Sequence, residues 1–415
     1  MDRINFYAEY YRDHLLKDIM PFWDNRCVDT EHGGYQLCFD REGHPTDPDK
    51  YIWFQARQTY LYGFLYNQIE KREEWLRMAQ WGYDYLTKHA YAGQGRFFYH
   101  LGQKGDVKVG TISVFTDCYA VQALSEYMRA TGCRNEEGMK ILNECFDSLE
   151  KNIKDPEFKD LYENTWSEKF IWHDLYLTAL SAADTAGDTL GNRTDSLIDH
   201  CLDKILNWFA KDDYKLVFEA VTRDNQVSLD EPNGRFINPG HTLESMWFCM
   251  NIGRKRGNAD IVSRAAEIIK WGIEWGVDKE YGGIFSYLDA TGKEPVAIDW
   301  YKETNSLWDD KVWWANCEAL CSFAMAYTLT GDELYFQEFE KLHLFCRDNF
   351  YDSAFGEWYE RLHRDGSVKV EDKGTPWKCG YHLGRALIMI INLFEGMGRS
   401  PAPAVQTEGG ENESR

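Results

Sequence analysis

Two periodicities alternate along this chain. Long stretches place apolar residues at helical spacing, as at Trp53, Tyr60, Phe64 and Leu65, so that one helix face collects them. Between them lie short segments in which apolar and polar residues alternate, bounded by Gly and Asp. Helices are predicted at 4–25, 50–70, 72–89, 112–131, 134–153, 166–186, 190–209, 239–256, 258–276, 306–330, 332–349 and 376–397. Connections such as TGCRN (131–135) and GRKRGN (253–258) are short and polar, which suits antiparallel helical hairpins.

The alternating segments repeat. DTEHGGYQLCFDREG (29–43) has counterparts in DKEYGGIFSYLDATG (278–292) and DSAFGEWYERLHRDG (352–366). Weaker copies are AGQGRFFYHLGQKGD (92–106) and DDYKLVFEAVTRDN (212–225), with KDPEFKDLYENTW (154–166) as a degenerate sixth. Each reads as a turn, a short strand and a second turn. The copies recur at roughly 60 to 75 residues, the mark of a large supersecondary repeat. Twelve helices in six hairpins, with a small β element in each connection, predict an all-α fold, an (α/α)6 barrel. An open solenoid would need polar capping helices at both ends. The last helix instead carries ALIMIINLF (386–394), apolar nearly all round. Residues 1–400 are therefore read as one catalytic domain. The tail 401–415 is rich in Pro, Gly and Glu and is predicted to be disordered.

Composition narrows the function. The formal net charge of the 415 residues is −22, which argues against nucleic acid or an anionic membrane as partner. No apolar run reaches the ~18 residues of a membrane span. The N-terminal MDRINFYAEYYRDHLL is charged and amphipathic, unlike a secretory signal. Eleven cysteines occur without a CxxC pair. The odd count suits reduced thiols and a cytoplasmic location. A homodimer is left open. Aromatics make up 15% of the chain, with 16 Trp and 25 Tyr. Such rings fill cores, and they also stack on the apolar faces of sugars.

In a barrel of this kind the starts of the inner helices face a funnel, so a site would draw on several distant hairpins. Arg57 is the one charge in WFQARQTYLYGFLY (53–66). It either snorkels to water or lines the funnel as a guanidinium for a developing oxyanion. His173 opens the apolar FIWHDLYLTAL (170–180). In NPGHTLESMW (238–247), Asn238 reads as an N-cap and Pro239 as the first helical residue. His241 and Glu244 then share one side of the helix. VWWANCEALCSFAMAY (312–327) offers Trp313 or Trp314 as a sugar platform, with Glu318, and Arg385 further on, as other substrate-binding candidates. PWKCGYHLGRAL (376–387) supplies Trp377, His382 and Arg385. Three histidines and an arginine thus sit early in four separate helices. A metal at His241 and Glu244 would need matching ligands on partner helices, which are not evident. There is no HExxH, no Walker loop and no GxGxxG after a strand, so neither metal nor cofactor is expected. No nucleophile elbow is present either.

At these residues the chain resembles the N-acylglucosamine 2-epimerase family, whose relatives include renin-binding protein, cellobiose 2-epimerase and the mannose and sulfoquinovose isomerases. KYIWFQARQ (50–58), RFINPGHTLESMW (235–247), FGEWYERLHRDG (355–366) and KCGYHLGRAL (378–387) carry the likeness. It implies the barrel and a cofactor-independent reaction at C2 of a small-molecule sugar. It also implies roles for Arg57, His173, His241, Glu244, Trp377 and His382. One departure is Trp313-Trp314-Ala315-Asn316, where the branch usually has Trp-Trp-Pro-His or Trp-Trp-Pro-Gln. The implied chemistry opens the sugar to its aldehyde, removes the C2 proton to give an enediolate, and returns a proton to the other face. Two opposed imidazoles suit it, and His241 and His382 are the expected pair. The helix dipole is expected to hold His241 neutral, as a base. Glu244 would orient His241 or bind a hydroxyl, Arg57 hold the carbonyl oxygen, and His173 assist ring opening or bind a hydroxyl. The expected activity is interconversion of N-acetylglucosamine and N-acetylmannosamine. The alternatives are an aldose–ketose isomerase, or a 2-epimerase of mannose, glucose or cellobiose-type sugars. A glycoside hydrolase, which needs two flanking carboxylates, and a non-catalytic sugar-binding protein are more distant rivals.

Overall fold

The computed structural model describes residues 2–159, 168–298 and 301–399. Its helices form two concentric rings. The inner ring is Ile52–Gln68, Val114–Ala130, His173–Leu190, Pro239–Arg256, Trp313–Thr330 and Tyr381–Arg399. The outer ring starts with Asp2–His14, which runs on through Leu15–Ile19 to Met20–Asp24. It continues with Glu73–Tyr85, Glu136–Lys154, Asp195–Asp203, Ala259–Gly276 and Glu333–Asn349. Each inner helix packs on the next, and Tyr381–Arg399 packs on Ile52–Gln68. The ring is closed, and the fold is the (α/α)6 barrel that the repeat predicts.

Burial separates the two rings. In the first inner helix every residue from Ile52 to Leu65 is buried, because neighbours enclose it on all sides. In Glu136–Lys154 the buried residues include Ile141, Leu142, Cys145, Phe146, Leu149 and Ile153, the single stripe of an amphipathic helix.

Three inner helices begin later than predicted, at His173, Trp313 and Tyr381 rather than near 166, 306 and 376. Ahead of the first two lie strands, Phe170–Trp172 and Lys311–Val312. Phe170–Trp172 is as apolar as the helix it feeds, and Lys311–Val312 is too short to show a period, so periodicity does not divide them. These entry strands staple the repeats together. Each pairs antiparallel with the following hairpin, as in Lys50↔Leu101, Phe170↔Thr222, Phe236↔Asp289 and Lys311↔Leu362. Phe39↔Gly374 joins the last repeat to the first.

The three strong sequence copies fold alike, through the bridges Val28↔Tyr35, Val277↔Ile284 and Tyr351↔Trp358. Their leading aspartates each grip a buried lysine: Asp29 with Lys50 at 2.7 Å, Asp278 with Lys311 at 2.9 Å and Asp352 with Lys373 at 3.1 Å. A polar side chain early in the inner helix pins the hairpin backbone. Gln55 accepts the Tyr35 N–H at 2.7 Å, Asp117 that of Phe97 at 2.9 Å, and Asn316 that of Ile284 at 3.0 Å. Glu357 stands at φ +58° where the other copies have glycine. Its carboxylate accepts from Trp23 Nε1 at 3.1 Å and Lys378 Nζ at 2.7 Å, which holds a left-handed conformation that disfavours side chains. The weaker copies at 92–106 and 212–225 are hairpins as well. Residues 160–166 of the degenerate copy, and the tail 401–415, lie outside the described residues.

The seam between first and last helices is closed by side chains. Trp358 Nε1 donates to His14 Nε2 at 3.0 Å, Tyr11 OH lies 2.9 Å from His343 Nδ1, and Arg12 Nε donates to Glu395 at 3.0 Å. The inner helices all start at the end of the barrel that carries the entry strands. At the opposite end their last turns line a cavity of about 1100 Å³, among them Phe64, Glu126, Asp188, Lys255 and Met389.

Removing one partner of a buried pair costs about 3–5 kcal/mol. Asp278→Ala, which strands Lys311 and frees Arg364, is therefore expected to lower the unfolding free energy read from urea denaturation by an amount in that range. Asp365→Ala, on an exposed turn, should leave it within about 0.5 kcal/mol of the parent.

Candidate active site

The NPGH corner is built as its sequence requires. Asn238 caps the helix by accepting the His241 N–H at 3.1 Å, and Pro239 is the first helical residue. His241 is thereby set in the first turn. His382 is the second residue of Tyr381–Arg399. Between these helices runs Trp313–Thr330, and its Trp314 ring lies 5.2 Å from the imidazole of His241 and 5.7 Å from that of His382, centroid to centroid. Two residues 141 positions apart in sequence thus border one indole.

Each imidazole is held at Nδ1 by a carboxylate. His241 meets Glu219 at 2.9 Å and His382 meets Glu318 at 2.8 Å. Nε2 is left as the nitrogen available for chemistry. The two rings differ in charge. Burial pulls His241 down, but the Glu219 charge and hydrogen bond, with Asp174 and Glu244 adding, raise it to about 9. Burial takes His382 well below the ordinary value; Glu244 opposes this, and the Arg57 and Arg385 charges reinforce it. At neutral pH His241 carries a proton and His382 does not. The expectation of a neutral His241 is overturned, because a carboxylate in contact outweighs the partial charge of a helix start.

Glu219 was invisible to motif reading. Its only signal was a lone acid in the apolar run LVFEAV (216–221). Glu244 is also placed otherwise than expected. Its carboxylate takes Arg385 Nη2 and leans toward His382 Nδ1 at 3.9 Å, while His241 is oriented by Glu219. The guanidinium on the barrel axis attracts Glu244 more strongly than a neighbour on its own helix.

Below the histidines lies a polar floor. Arg385 Nη2 donates to Glu244 and, at 2.7 Å, to Glu318. Its Nη1 reaches Tyr381 OH at 2.6 Å, which donates to Gln122 at 2.8 Å. Trp247 Nε1 donates to the other Glu318 oxygen at 2.8 Å. Glu244, Glu318 and His382 offer ligand atoms within 4.8 Å of one another, a set that could hold a metal ion. Arg385 already supplies a cation to both carboxylates.

Arg57 lies among four rings, with its guanidinium carbon 4.0 Å from the centroid of Tyr119, 5.1 Å from Trp53, 5.2 Å from Phe54 and 5.3 Å from Tyr381. It donates to Tyr119 OH. Among the described residues no carboxylate pairs with it, so its charge is free to meet an oxyanion.

Three expectations need correction. Trp313 is 3% exposed, and Lys378 lies 5.7 Å over its ring; it is core, and Trp314 is the ring beside the imidazoles. Glu318 and Arg385 were expected to touch substrate, but both are buried in the floor and act through His382. His173 is fully buried, with Nδ1 3.6 Å from Glu219, so it lies behind His241. Trp377 is 54% exposed and stands edge-on to Trp53, 5.5 Å away. Asn316, the sequence departure, bonds the Val312 carbonyl and the Ile284 N–H, so that change serves the hairpin rather than the cleft.

Residues 33–386 match the family described as N-acylglucosamine 2-epimerase (GlcNAc 2-epimerase). The chain belongs to this family. N-acylglucosamine 2-epimerase from Bos taurus is 30% identical over 407 residues, covering 95% of this chain and 93% of the relative. Cellobiose 2-epimerase from Bacteroides fragilis is 23% identical over 397 residues, covering 91% and 96%. Among solved structures, cellobiose 2-epimerase from Spirochaeta thermophila superposes with a TM-score of 0.80 at 20% identity, over 95% of this chain and 98% of that one. The N-acylglucosamine 2-epimerase family thus accounts for nearly the whole barrel.

The neighbouring tryptophans should separate in experiment. Trp314→Ala is expected to raise KM about two- to tenfold with little loss of stability, since one lost stacking contact is worth about 0.5–1.5 kcal/mol. Trp313→Ala should instead destabilise the fold by about 3–5 kcal/mol. Steady-state kinetics and chemical denaturation of both variants make the check.

Proposed function

We propose that this chain interconverts N-acetylglucosamine and N-acetylmannosamine by exchanging the proton on C2 between two faces of the sugar. That it is a sugar 2-epimerase follows from its family. The N-acetyl substrate is supported by the NPGHTLE corner and by the bovine relative. The observation that carries the mechanism is the pair of imidazoles beside one indole, each held at Nδ1 by its own carboxylate so that Nε2 is left for chemistry.

The open-chain aldehyde acidifies the C2 proton. His382, neutral and with Nδ1–H donated to Glu318, takes that proton at Nε2. Charge moves onto the C1 oxygen as an enolate, which Arg57 stabilises. His241, protonated, delivers its proton to the opposite face of C2. The C–H bond broken on one side is replaced on the other, and the two histidines end with their protonation exchanged. Solvent restores them. Trp314 and Trp377 supply faces for the sugar.

The hydrolase alternative is disfavoured, since Glu244 and Glu318 are both bonded to Arg385 and neither is a free acid. An aldose–ketose isomerase shares the enolate and differs only in returning the proton to C1. The −22 charge and eleven free thiols, only Cys133 being exposed, support a cytoplasmic enzyme without nucleic-acid partners. No helix among the described residues is long and apolar enough to cross a membrane.

Incubation with each N-acetylhexosamine, mannose, glucose and cellobiose in D₂O, followed by NMR, tests the reading. Deuterium at C2 with the epimer as product is expected, unchanged by EDTA. Deuterium at C1 with accumulation of a ketose would replace the epimerase by the isomerase, and loss with EDTA reversed by a divalent ion would install a metal at Glu244, Glu318 and His382. His241→Asn and His382→Asn should each abolish net conversion. Each should still exchange the C2 proton of one epimer, the opposite one in the two variants.

A further inference from the structure

Glu219 joins two inner helices with both its main chain and its side chain. Its carbonyl accepts the His173 N–H at 2.9 Å, the first N–H of one inner helix. Its own N–H donates to the Phe236 carbonyl at 3.2 Å, in the strand that enters the next inner helix. The carboxylate repeats the tie, with Oε1 2.9 Å from His241 Nδ1 and Oε2 3.6 Å from His173 Nδ1. The residue is buried, so backbone bonds on two sides fix where its charge lies.

The two carboxylates that hold the histidines are not equivalent. Glu318 divides its charge among Arg385, Trp247 and His382. Glu219 faces imidazoles alone; among the described residues no lysine or arginine pairs with it. Asp174, the neighbour of His173, and Glu244, on the helix of His241, add negative charge around the same ring. The neutral indole of Trp314 lies on another side, and the His173 ring stands 6.4 Å away. Guanidinium charge is thus spent on the His382 side and absent from the Glu219 side.

We propose that Glu219 is a positioning residue that holds His241 by Nδ1 in its protonated form, so that this histidine is the acid in the direction in which His382 is the base. The proposal rests on the acid–base reading above and adds what decides it: which carboxylate lacks a competing arginine. The charge of Glu219 is itself maintained well below the carboxylate range, since His241 and His173 outweigh its burial. The same contact keeps a proton on Nδ1, so that the proton exchanged with the sugar is the one on Nε2. His173 braces Glu219 from behind rather than reaching the sugar.

The test is the pH profile of kcat/KM for Glu219→Gln in the full chain. Glutamine keeps the shape and loses the charge. An opposite charge in contact moves a histidine by about one unit or more, so the alkaline limb should move to lower pH by at least about one unit. The acid limb, governed by His382, should stay. The shift must be the same in both directions of reaction, because the equilibrium constant fixes the ratio of the two kcat/KM values at every pH. KM should change little. An isotope-labelled imidazole titration of His241 should show the same displacement. An unmoved alkaline limb with lower activity would overturn the proposal and leave Glu219 a structural brace. Should the glutamine variant not fold, Glu219→Asp decides: a partial shift supports the proposal and no shift refutes it. Parent enzyme whose alkaline limb persists in the residual C2 exchange of His241→Asn would instead refute the acid role of His241, whatever Glu219 does.

Discussion

The buried pairing of Arg385 with Glu244 and Glu318 underlies the cleft. Three charged groups removed from water would be costly one at a time, and each is tolerated because the others satisfy it. Glu318 then has one oxygen left to fix Trp247 and shares the other with His382. Without the guanidinium, two carboxylates would face that imidazole and draw a proton onto it. The arginine therefore does more than fill space. Burial takes His382 toward its neutral form, and the arginine reinforces this by offsetting part of the negative charge beneath it. The same logic, run with no arginine, operates at Glu219. One barrel thus produces two unlike histidines from two similar acid–imidazole contacts, differing only in what else the acid touches.

Much of this was readable from the chain. The hairpin count was legible because each repeat announces itself with a turn, an Asp and a short alternating strand. Arg57, His241 and His382 stood out because a charged or titratable group early in an apolar helix needs a reason to be there. Contacts between repeats were not legible. Glu219 meets His241 across 22 positions through a strand register, and Arg385 meets Glu244 across 141. No local pattern encodes such a meeting. Trp313 and Trp314 illustrate a finer limit. Successive helical residues point about 100° apart, and choosing the one that faces the cleft requires the tilt of the helix in its ring. The entry strands escaped notice for a simpler reason: at two or three residues each, they are too short to show an alternation of their own.

The family likeness and the physical reading meet at the departures. Asn316 stands where relatives of this branch usually carry other residues, yet its amide performs the hairpin-pinning task that Gln55 and Asp117 perform elsewhere in the ring. A change in a signature motif is therefore absorbed by the scaffold. The pocket wall is left to Trp314.

The seam has a consequence for how the molecule comes into being. Other neighbours in the ring are linked by chain, but the first helix meets the last repeat through contacts such as Tyr7 to Glu340 and His14 to Trp358, more than 330 residues apart. Closing so long a loop carries an entropic cost that local hairpins escape. The hairpins can form early, and the circle closes late. Arg57 and the Tyr381 ring, 5.3 Å apart, belong to helices that face each other across this junction. A chain still open at the seam would own every residue of the cleft without having the cleft, so activity on refolding should report the closing of the ring rather than the formation of helix.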